Sequence, residues 1–251
     1  MERSEGQGTL IAGQPWLQRT GLLLGERTLS VLSSSTVAIV GVGGVGGYAA
    51  EMVVRAGVGS VVLIDPDTVS ETNINRQLVA LHSTVGRSKC GVLSGRLSDI
   101  NPSLNVISIE KYIGDGEAPG ILDGLKIDFL IDAIDTLSPK LSLIKYCVDR
   151  DLPFVSSMGS GAKLDATAVR ISDISKSHNC PFAYVIRKRL RKMGISKGFK
   201  VVYSEELPDR AAIVECEERN KKSMTGTISY LPAVFGCACA QVAIEFFRKI
   251  D

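Results

Sequence analysis

The sequence predicts an α/β fold: a doubly wound, mainly parallel sheet with an N-terminal helical segment and a C-terminal α+β extension. Three observations predict it. An apolar, β-branched run over 37–40 leads into a glycine-rich turn and then a helical pattern over 48–56. A second apolar run, over 61–65, ends in a carboxylate. Strand-like and helical segments then alternate as far as residue 157, which is the pattern of Rossmann-like βαβ units.

The remaining elements follow in the order that such a fold requires. The helix after the second strand ends at Asn101-Pro102, because a proline disfavours α geometry in the residue before it. The predicted elements are two short helices within 15–33 that join near Gly25, a helix over 88–100, strands over 105–110, 129–135 and 153–157, a short helix within 114–125, helices over 141–149 and from 181 onward, an edge strand over 166–172, a mobile polar loop over 204–226, and a closing helix over 231–250.

Length and composition bound the class of protein. With 251 residues, 45% of them hydrophobic, the chain can bury the core of one domain. We predict a flexible N-terminus over 1–14 and a single domain over 15–251, with a nucleotide-binding core over about 36–157 and a C-terminal substrate-binding extension over about 158–251. The net charge of +2 is small, so any nucleic-acid site must be local.

The cysteines and the apolar stretches exclude several classes. Six scattered cysteines with no C-x-x-C pair argue against a zinc site and fit a reducing cytoplasm. The first residues carry both charges and glycines, so they predict neither a signal peptide nor an anchor. The apolar run over 231–247 is under 20 residues long and contains Gln241 and Glu245. It therefore predicts a buried helix and no membrane span.

The turn after the first strand has the pattern G-x-G-x-x-G, set by Gly41, Gly43, Gly44 and Gly46. Its position between a strand and a helix gives the pattern meaning, because glycines allow the backbone to approach a phosphate and the helix N-terminus favours the anion. Asp65, at the end of the second strand, is placed to bind a ribose. The chain is therefore predicted to bind a nucleotide.

The polar segment beyond Asp65 distinguishes a triphosphate from a dinucleotide. It contains Asn73, Arg76 and Gln77, and Lys89 follows at the start of the next helix. NAD or FAD binding does not require such a cluster, whereas a triphosphate needs several cations and orienting amides. A cation in the first turn of a helix is unfavourable to the helix dipole, so Lys89 is interpreted as a phosphate ligand, with a plain solvated lysine as the alternative.

Two aspartates close the strand predicted over 129–135. Asp135 falls at the carboxyl end of a parallel strand, where ligands bind, and a carboxylate beside a triphosphate requires a bridging Mg²⁺. Asp135 is therefore assigned to the metal. The alternative, a helix cap, is disfavoured because Ser138 is better placed to cap. Asp132 points to the opposite face and is expected to make structural hydrogen bonds.

A basic run lies on the helix that begins at Pro181. Seven basic residues and no acidic residue occur over 187–200, while Phe182, Ile186, Leu190 and Met193 form an apolar stripe. A solvated helix face is the alternative, but such local concentration in a nearly neutral chain favours contact with the phosphates of a nucleic acid. The predicted nucleic-acid-binding residues are Arg187, Lys188, Arg189, Arg191 and Lys192.

These motifs together resemble a known family. The glycine turn, the segment D-x-D-x-V-x-x-x-N-x-N-R-Q from Asp65, V-G-x-x-K before the next helix and D-A-I-D at 132–135 resemble the ThiF/MoeB/HesA adenylating enzymes related to ubiquitin-activating enzymes. Within that group, 19–25, 73–77, 187–195 and 202–206 are similar to the tRNA threonylcarbamoyladenosine dehydratase branch. The resemblance covers about residues 16–248, and it implies that the nucleic acid bound by the basic helix and by the C-terminal extension is tRNA.

The resemblance implies ATP and Mg²⁺ as cofactors and an ATP-dependent cyclisation of N6-threonylcarbamoyladenosine in tRNA through an acyl adenylate. It adds Asp67 to the ATP-binding residues and implies a cytoplasmic homodimer in which Arg19 reaches the partner's ATP, whereas by itself Arg19 would be a solvated surface residue. Arg19, Arg76, Lys89 and Asp135 are the expected catalytic residues. A monovalent-cation requirement and a sulfur-relay or ubiquitin-like carrier protein as partner stay open.

Three alternatives remain at this point. The first is adenylation of the C-terminus of a ubiquitin-like or sulfur-carrier protein, whose best-known enzymes carry zinc-binding C-x-x-C pairs that this chain lacks. The second is an NAD-dependent oxidoreductase, and the third is a nucleotide-binding scaffold without activity. Cys216 could be a thioester-forming nucleophile, but no base is recognisable nearby, so an inert thiol is favoured.

Overall fold

A computed structural model describes residues 14–218 and 221–250, without the side chains of 215–218 and 221–223. The predicted flexible segment 1–14 therefore lies outside the described residues, apart from Gln14. The helices are α1 Gln18–Leu24, α2 Glu26–Ser34, α3 Gly46–Arg55, α4 Lys89–Ile100, α5 Ala118–Leu122, α6 Leu137–Asp149, α7 Pro181–Lys192 and α8 Tyr230–Lys249. The strands are β1 Thr36–Val40, β2 Ser60–Ile64, β3 Asn105–Ile109, β4 Phe129–Asp132, β5 Phe154–Ser157, β6 Val169–Asp173, β7 Lys200–Ser204, β8 Ile213–Glu218 and β9 Lys221–Thr225.

Seven strands form one sheet in the order β3-β2-β1-β4-β5-β7-β6. Neighbouring strands pair in parallel, except that β6 is antiparallel to β7 at the edge. The predicted α/β architecture and the edge strand are thus confirmed. Because the strand order reverses direction between β1 and β4, the crevice at their carboxyl ends is where a doubly wound sheet binds its ligand.

Helices cover both faces of the sheet. The larger apolar core lies between the sheet and α3, α4 and α8, and two smaller clusters lie under α5, α6 and α7. Strand β1 is central and its apolar residues are buried on both faces, which explains its uninterrupted β-branched run. The predicted short helices on either side of Gly25 are present as α1 and α2.

The closing helix α8 is long and apolar enough to cross a membrane by length and composition alone. Half of its most apolar 18-residue window is buried, and core helices of folded domains pass the same test. A Cβ at Gly236 would lie 2.4 Å from the carbonyl oxygen of Val45, so α8 packs tightly against the start of α3. The prediction of a buried closing helix is confirmed.

Two parts of the C-terminal region differ from the prediction. The segment predicted as a mobile loop over 204–226 contains the antiparallel hairpin β8–β9, and Lys200, the last residue of the basic run, begins strand β7. In the predicted apolar stripe of α7, Met193 is 46% exposed, because the helix ends at Lys192 and Met193 lies beyond it. Ala183 is buried on that face with Ile186 and Leu190.

Strand β4 ends three residues earlier than predicted. The Asp132 Oδ1 atom accepts a hydrogen bond of 3.1 Å from the backbone N–H of Ile134, and this turn bends the chain out of the sheet. Helix α6 then starts at Leu137 with Thr136 at its N-cap and no side-chain cap, so the expected capping by Ser138 was wrong.

Candidate active site at the carboxyl edge of the sheet

The glycine turn leaves no room for side chains at two positions. Gly41 has a φ of +86°, and a Cβ there would lie 2.9 Å from the carbonyl oxygen of Ala133. A Cβ at Gly46 would lie 1.8 Å from the carbonyl oxygen of Gly41. Helix α3 starts at Gly46 without a side-chain cap and without an acidic residue in its first turn. No side chain bonds the amides of its first turn; the N–H of Gly47 donates to the Gly43 carbonyl oxygen at 3.0 Å, and the other first amides can bind an anion.

Asp65 links the end of β2 to this turn. Its Oδ2 atom accepts a 2.8 Å hydrogen bond from the backbone N–H of Val42, and its Oδ1 atom accepts one of 2.9 Å from that of Asp67. Burial raises the pKa of Asp65, although nearby Lys89 and the two amides oppose the shift. The carboxylate thus sits directly beside the turn, where its predicted contact with a ribose stays a prediction.

Lys89 is a buried, paired cation. Its side chain is 7% exposed, and its Nζ atom lies 2.7 Å from Asp67 Oδ2 and 4.0 Å from Asp65 Oδ1. The alternative of a solvated surface lysine is therefore wrong. Two carboxylates offset the cost of a cation in the first turn of α4, and they also outnumber it, so Lys89 does not make this corner of the site positive. Its predicted phosphate contact is untested.

The segment after Asp67 supplies a cation that is not neutralised. Arg76 donates from Nη1 to the Thr72 carbonyl oxygen at 2.9 Å and to Asn75 Oδ1 at 2.8 Å. No carboxylate pairs with Arg76 among the described residues, so its charge remains available to an anion. Asn73 accepts a 3.1 Å hydrogen bond from the Ser70 N–H, which shapes the turn that presents Arg76.

This segment lies directly over the glycine turn. A Cβ at Gly43 would lie 3.5 Å from Gln77 Nε2, and one at Gly44 would lie 3.5 Å from the Arg76 carbonyl oxygen. The Gln77 Oε1 atom is buried and has no hydrogen-bond partner in the described part of the chain. A buried acceptor without a donor is costly, so it suits a site that a ligand's hydrogen-bond donor completes.

Asp132 has the structural role that its strand face predicts. It is fully buried and accepts hydrogen bonds of 2.6 Å from both Lys140 Nζ and Ser156 Oγ. The Lys140 ammonium also donates to Ser156 Oγ at 3.1 Å. This network joins β4, α6 and β5 beneath the loop that carries Asp135.

Asp135 is exposed in the loop that follows β4, at the carboxyl edge of the sheet. No group of three or more His, Cys, Asp or Glu side chains suited to a metal occurs among residues 14–218 and 221–250 whose side chains are described. A single carboxylate fits Mg²⁺ nonetheless, because Mg²⁺ in nucleotide sites takes most of its other ligands from phosphates and water.

The loop after β5 brings a residue to this edge that the sequence interpretation missed. Lys163 is 4% exposed and donates from Nζ to the Ser204 carbonyl oxygen at 3.1 Å, at the end of β7. Burial lowers its pKa. A lysine within a small-residue loop gives no sequence signal of burial, so only the fold reveals it. A Cβ at Gly161 would lie 2.6 Å from Thr225 Cγ2, so the hairpin packs on this loop.

The predicted tRNA-binding residues lie on α7. Lys188, Arg189, Arg191 and Lys192 are exposed, and Arg187 is half-buried and donates to Ser177 Oγ. None of the five pairs with a carboxylate in the described structure, so their charge is not neutralised locally. The structure does not place them beside the glycine turn.

Arg19 is also remote from this chain's own site. It follows Leu17, which packs on Gly57 at the far end of α3. The ten residues of α3 correspond to a length of about 15 Å, so the contact between Leu17 and Gly57 lies about 15 Å from the glycine turn. Leu22 and Leu23, on the same helix as Arg19, are 80% and 83% exposed. The helix that carries Arg19 thus leaves two adjacent leucines exposed.

Four of the five described cysteines give no sign of an activated thiol. Burial raises the pKa of Cys90 to about 12 and also raises the pKa of Cys147 and Cys239. Cys237, on α8, has part of its surface exposed, but partial burial of its sulfur raises its pKa as well. The side chain of Cys216 lies outside the described residues, so its interpretation as an inert thiol stays a prediction.

Comparison with known proteins places these features in a family. A model described as the ThiF family matches residues 17–251. The tRNA threonylcarbamoyladenosine dehydratase of Bacillus subtilis (strain 168) is 42% identical over 242 residues, which are 93% of this chain and 95% of that protein. The crystal structure of E. coli tRNA N6-threonylcarbamoyladenosine dehydratase, TcdA, in complex with ATP superposes on this fold with a TM-score of 0.86 and 30% sequence identity. The match covers 94% of this chain and 95% of the TcdA chain. The complex of the same enzyme with AMP has a TM-score of 0.84 at 30% sequence identity, and the match covers 96% of this chain and 98% of the TcdA chain.

Proposed function

The chain belongs to the ThiF family, and we propose that it catalyses the ATP-dependent dehydration of N6-threonylcarbamoyladenosine in tRNA. The observation that carries the proposal is the 42% identity to a dehydratase of that name over 95% of its length. The site supports it, since an uncapped helix N-terminus, the unneutralised Arg76 and the orphaned acceptor of Gln77 meet around one glycine turn.

The chemistry begins at the carboxylate of the threonylcarbamoyl group. One of its oxygens attacks the α-phosphorus of ATP, and pyrophosphate leaves, which gives an acyl adenylate. The carbamoyl oxygen then attacks the activated acyl carbon, the carbamoyl nitrogen loses its proton, and AMP leaves with the original carboxylate oxygen. The substrate has lost the elements of water. Both steps depend more on orientation and charge neutralisation than on acid–base groups.

Several residues hold the nucleotide in this proposal. The turn from Gly41 to Gly46 receives phosphates on the first amides of α3, and Asp65 binds the ribose. Arg76 stabilises the charge that develops on the phosphates. Asn73 and Gln77 orient them through their side-chain N–H donors, and Lys89 is held in place by Asp67 until a phosphate competes for it. Asp135 would hold Mg²⁺, which supplies Lewis-acid polarisation of the phosphate oxygens.

We further infer a homodimer in which Arg19 acts on the partner's nucleotide. Its distance from its own glycine turn and the exposed Leu22 and Leu23 support this assignment. The basic face of α7 would hold the tRNA backbone. The cytoplasm is the expected location, because a tRNA substrate and unpaired cysteines both belong to a reducing compartment.

The test follows labelled ATP to AMP in the presence of threonylcarbamoyl-modified tRNA, unmodified tRNA or a small carrier protein, with mass analysis of the nucleoside. Release of AMP only with the modified tRNA, together with loss of 18 mass units from the nucleoside (about the mass of one water), supports the proposal. Release only with the carrier protein would transfer the assignment to the carrier-adenylating enzymes.

Arg76→Ala provides the site-specific control. It should lower AMP release by about 100-fold or more, because a group that stabilises transition-state charge is removed. Arg87→Ala changes an exposed arginine in the same region of sequence and should leave AMP release unchanged. Equal activity of the two variants would refute the role given to Arg76.

Mixing variants tests Arg19 in trans. Arg19→Ala and Arg76→Ala should each be inactive alone, but random exchange of subunits makes half of the dimers mixed, and each mixed dimer has one intact site. Activity should return to about a quarter of the parental value. No recovery on mixing, with exchange verified by light-scattering or mass measurement, would show that Arg19 does not serve the partner's site.

A further inference from the structure

The first turn of α7 lies at the same edge of the sheet as the glycine turn. A Cβ at Gly159, in the loop after β5, would lie 3.5 Å from the Cβ of Phe182. Asn179, just before the helix, donates from Nδ2 to the carbonyl oxygen of Glu205, just beyond β7, at 2.9 Å. The helix then runs back along the sheet, so its twelve residues lead about 18 Å away from the catalytic edge.

Three side chains form a row along one exposed flank of this helix. Tyr184, Lys188 and Arg191 follow one another at helical spacings of four and three residues, and all three are exposed. The opposite face, with Ala183, Ile186 and Leu190, is buried against the core. Along the axis, Tyr184 precedes Lys188 by about 6 Å and Arg191 by about 10 Å, so it is the member of the row nearest the catalytic edge.

Tyr184 has no structural role that explains its position. The side chain is 58% exposed, and its hydroxyl makes no hydrogen bond with any residue in the described part of the chain. Neither Lys188 nor Arg191 pairs with a carboxylate there. An exposed aromatic ring aligned with free cations is the combination that holds single-stranded nucleic acid, in which cations follow the backbone and rings stack on bases.

We propose that Tyr184 stacks on an RNA base adjacent to the modified adenosine, while Lys188 and Arg191 bind the flanking phosphates. The proposal rests on the proposed function and identifies how its substrate is held. An enzyme that takes a modified base out of its stack leaves a neighbouring base with an exposed face. A strand that leaves the catalytic edge along α7 meets Tyr184 first and the two cations next.

The experiment measures the affinity of the full-length protein for threonylcarbamoyl-modified tRNA, without ATP, over a series of salt concentrations. Tyr184→Ala should weaken binding about 5- to 150-fold at every salt concentration and leave the slope of log K against log[salt] unchanged. Tyr184→Phe should bind like the parent, since stacking needs the ring and not the hydroxyl. Lys188→Ala with Arg191→Ala should reduce the magnitude of that slope by about 1.4, which is about 0.7 for each phosphate contact on a single strand.

Matched substitutions elsewhere separate this role from general effects. Tyr112→Ala removes an exposed tyrosine beyond β3 at the other side of the sheet, and Lys126→Ala removes an exposed cation before β4. Both should leave affinity and slope unchanged. The proposal is overturned if Tyr184→Ala binds within twofold of the parent, if Tyr184→Phe binds as weakly as Tyr184→Ala, or if Tyr112→Ala causes the same loss. AMP release by the parent protein tests the proposed function separately, so either hypothesis can fail alone.

Discussion

Replacement of Lys140 by methionine tests the buried ion pair that supports the catalytic edge. Both side chains of the Lys140–Asp132 pair are 0% exposed, and their charged atoms are 2.6 Å apart. After the substitution, the Asp132 carboxylate keeps only the Ser156 hydroxyl and the N–H of Ile134 as donors among the described residues. A buried carboxylate that has lost its cation costs about 3–5 kcal/mol of unfolding free energy.

That loss is a large part of the total stability of a domain, which is about 5–15 kcal/mol. For a chain of this size, each kcal/mol lowers the midpoint of thermal unfolding by about 2–4 °C, so Lys140→Met should lower it by about 6–20 °C. Urea denaturation at neutral pH gives the free energy directly. The surface control is Lys145→Met, which breaks a solvent-exposed pair with Asp149 and should cost less than about 1 kcal/mol.

A double variant separates the unpaired charge from the lost packing. Asp132→Asn combined with Lys140→Met removes both charges and should regain most of the stability, because replacing a whole buried pair by neutral groups is often nearly neutral in free energy. The reasoning is refuted if Lys140→Met costs no more than Lys145→Met, or if the double variant is no more stable than Lys140→Met.

Two further predictions concern the start and the middle of α3. Gly46→Ala should abolish ATP binding, measured by calorimetry, because the new Cβ would lie 1.8 Å from the Gly41 carbonyl oxygen. The control is Gly95→Ala in α4, where a Cβ would have no atom within 4 Å; it should keep ATP binding and raise the unfolding free energy by about 0.5–1 kcal/mol. Equal ATP affinity of the two variants would contradict this. Burial raises the pKa of Glu51, but hydrogen bonds from Arg96 and Arg55 outweigh the effect of burial. The pKa of Glu51 in the folded protein therefore lies below the usual 4.5. A carboxylate whose pKa is lower in the folded protein stabilises the fold at pH values above its unfolded-state pKa, and this stabilisation is lost as the pH falls through its folded-state pKa. Glu51→Gln should therefore reduce the free energy of unfolding at neutral pH and flatten its decline below about pH 4.5 in acid unfolding curves. An unchanged decline at acid pH would exclude this contribution.

Prediction from sequence succeeded where local chemistry controls local structure. The glycine pattern required the turn seen at Gly41 and Gly46, and the structural role of Asp132 followed from strand alternation. It was wrong where distant contacts decide. The hairpin β8–β9 is rich in charged residues and lacks the alternation that marks a half-buried strand, so it was taken for a loop. The end of β4 depends on one side-chain hydrogen bond that periodicity does not reveal.

The sequence by itself determined the fold class, the nucleotide turn and several of the residues beside it, because apolar periodicity and glycine geometry act over a few residues. Only the tertiary structure decided which charges and polar atoms near the site are paired. Lys89 pairs with Asp67, Arg76 has no carboxylate partner among the described residues, and the Gln77 side-chain oxygen near Gly43 has no hydrogen-bond donor in that part of the chain. Electrostatic and hydrogen-bond partners are chosen by proximity in space, and proximity across the ends of parallel strands is set by the packing of the whole sheet.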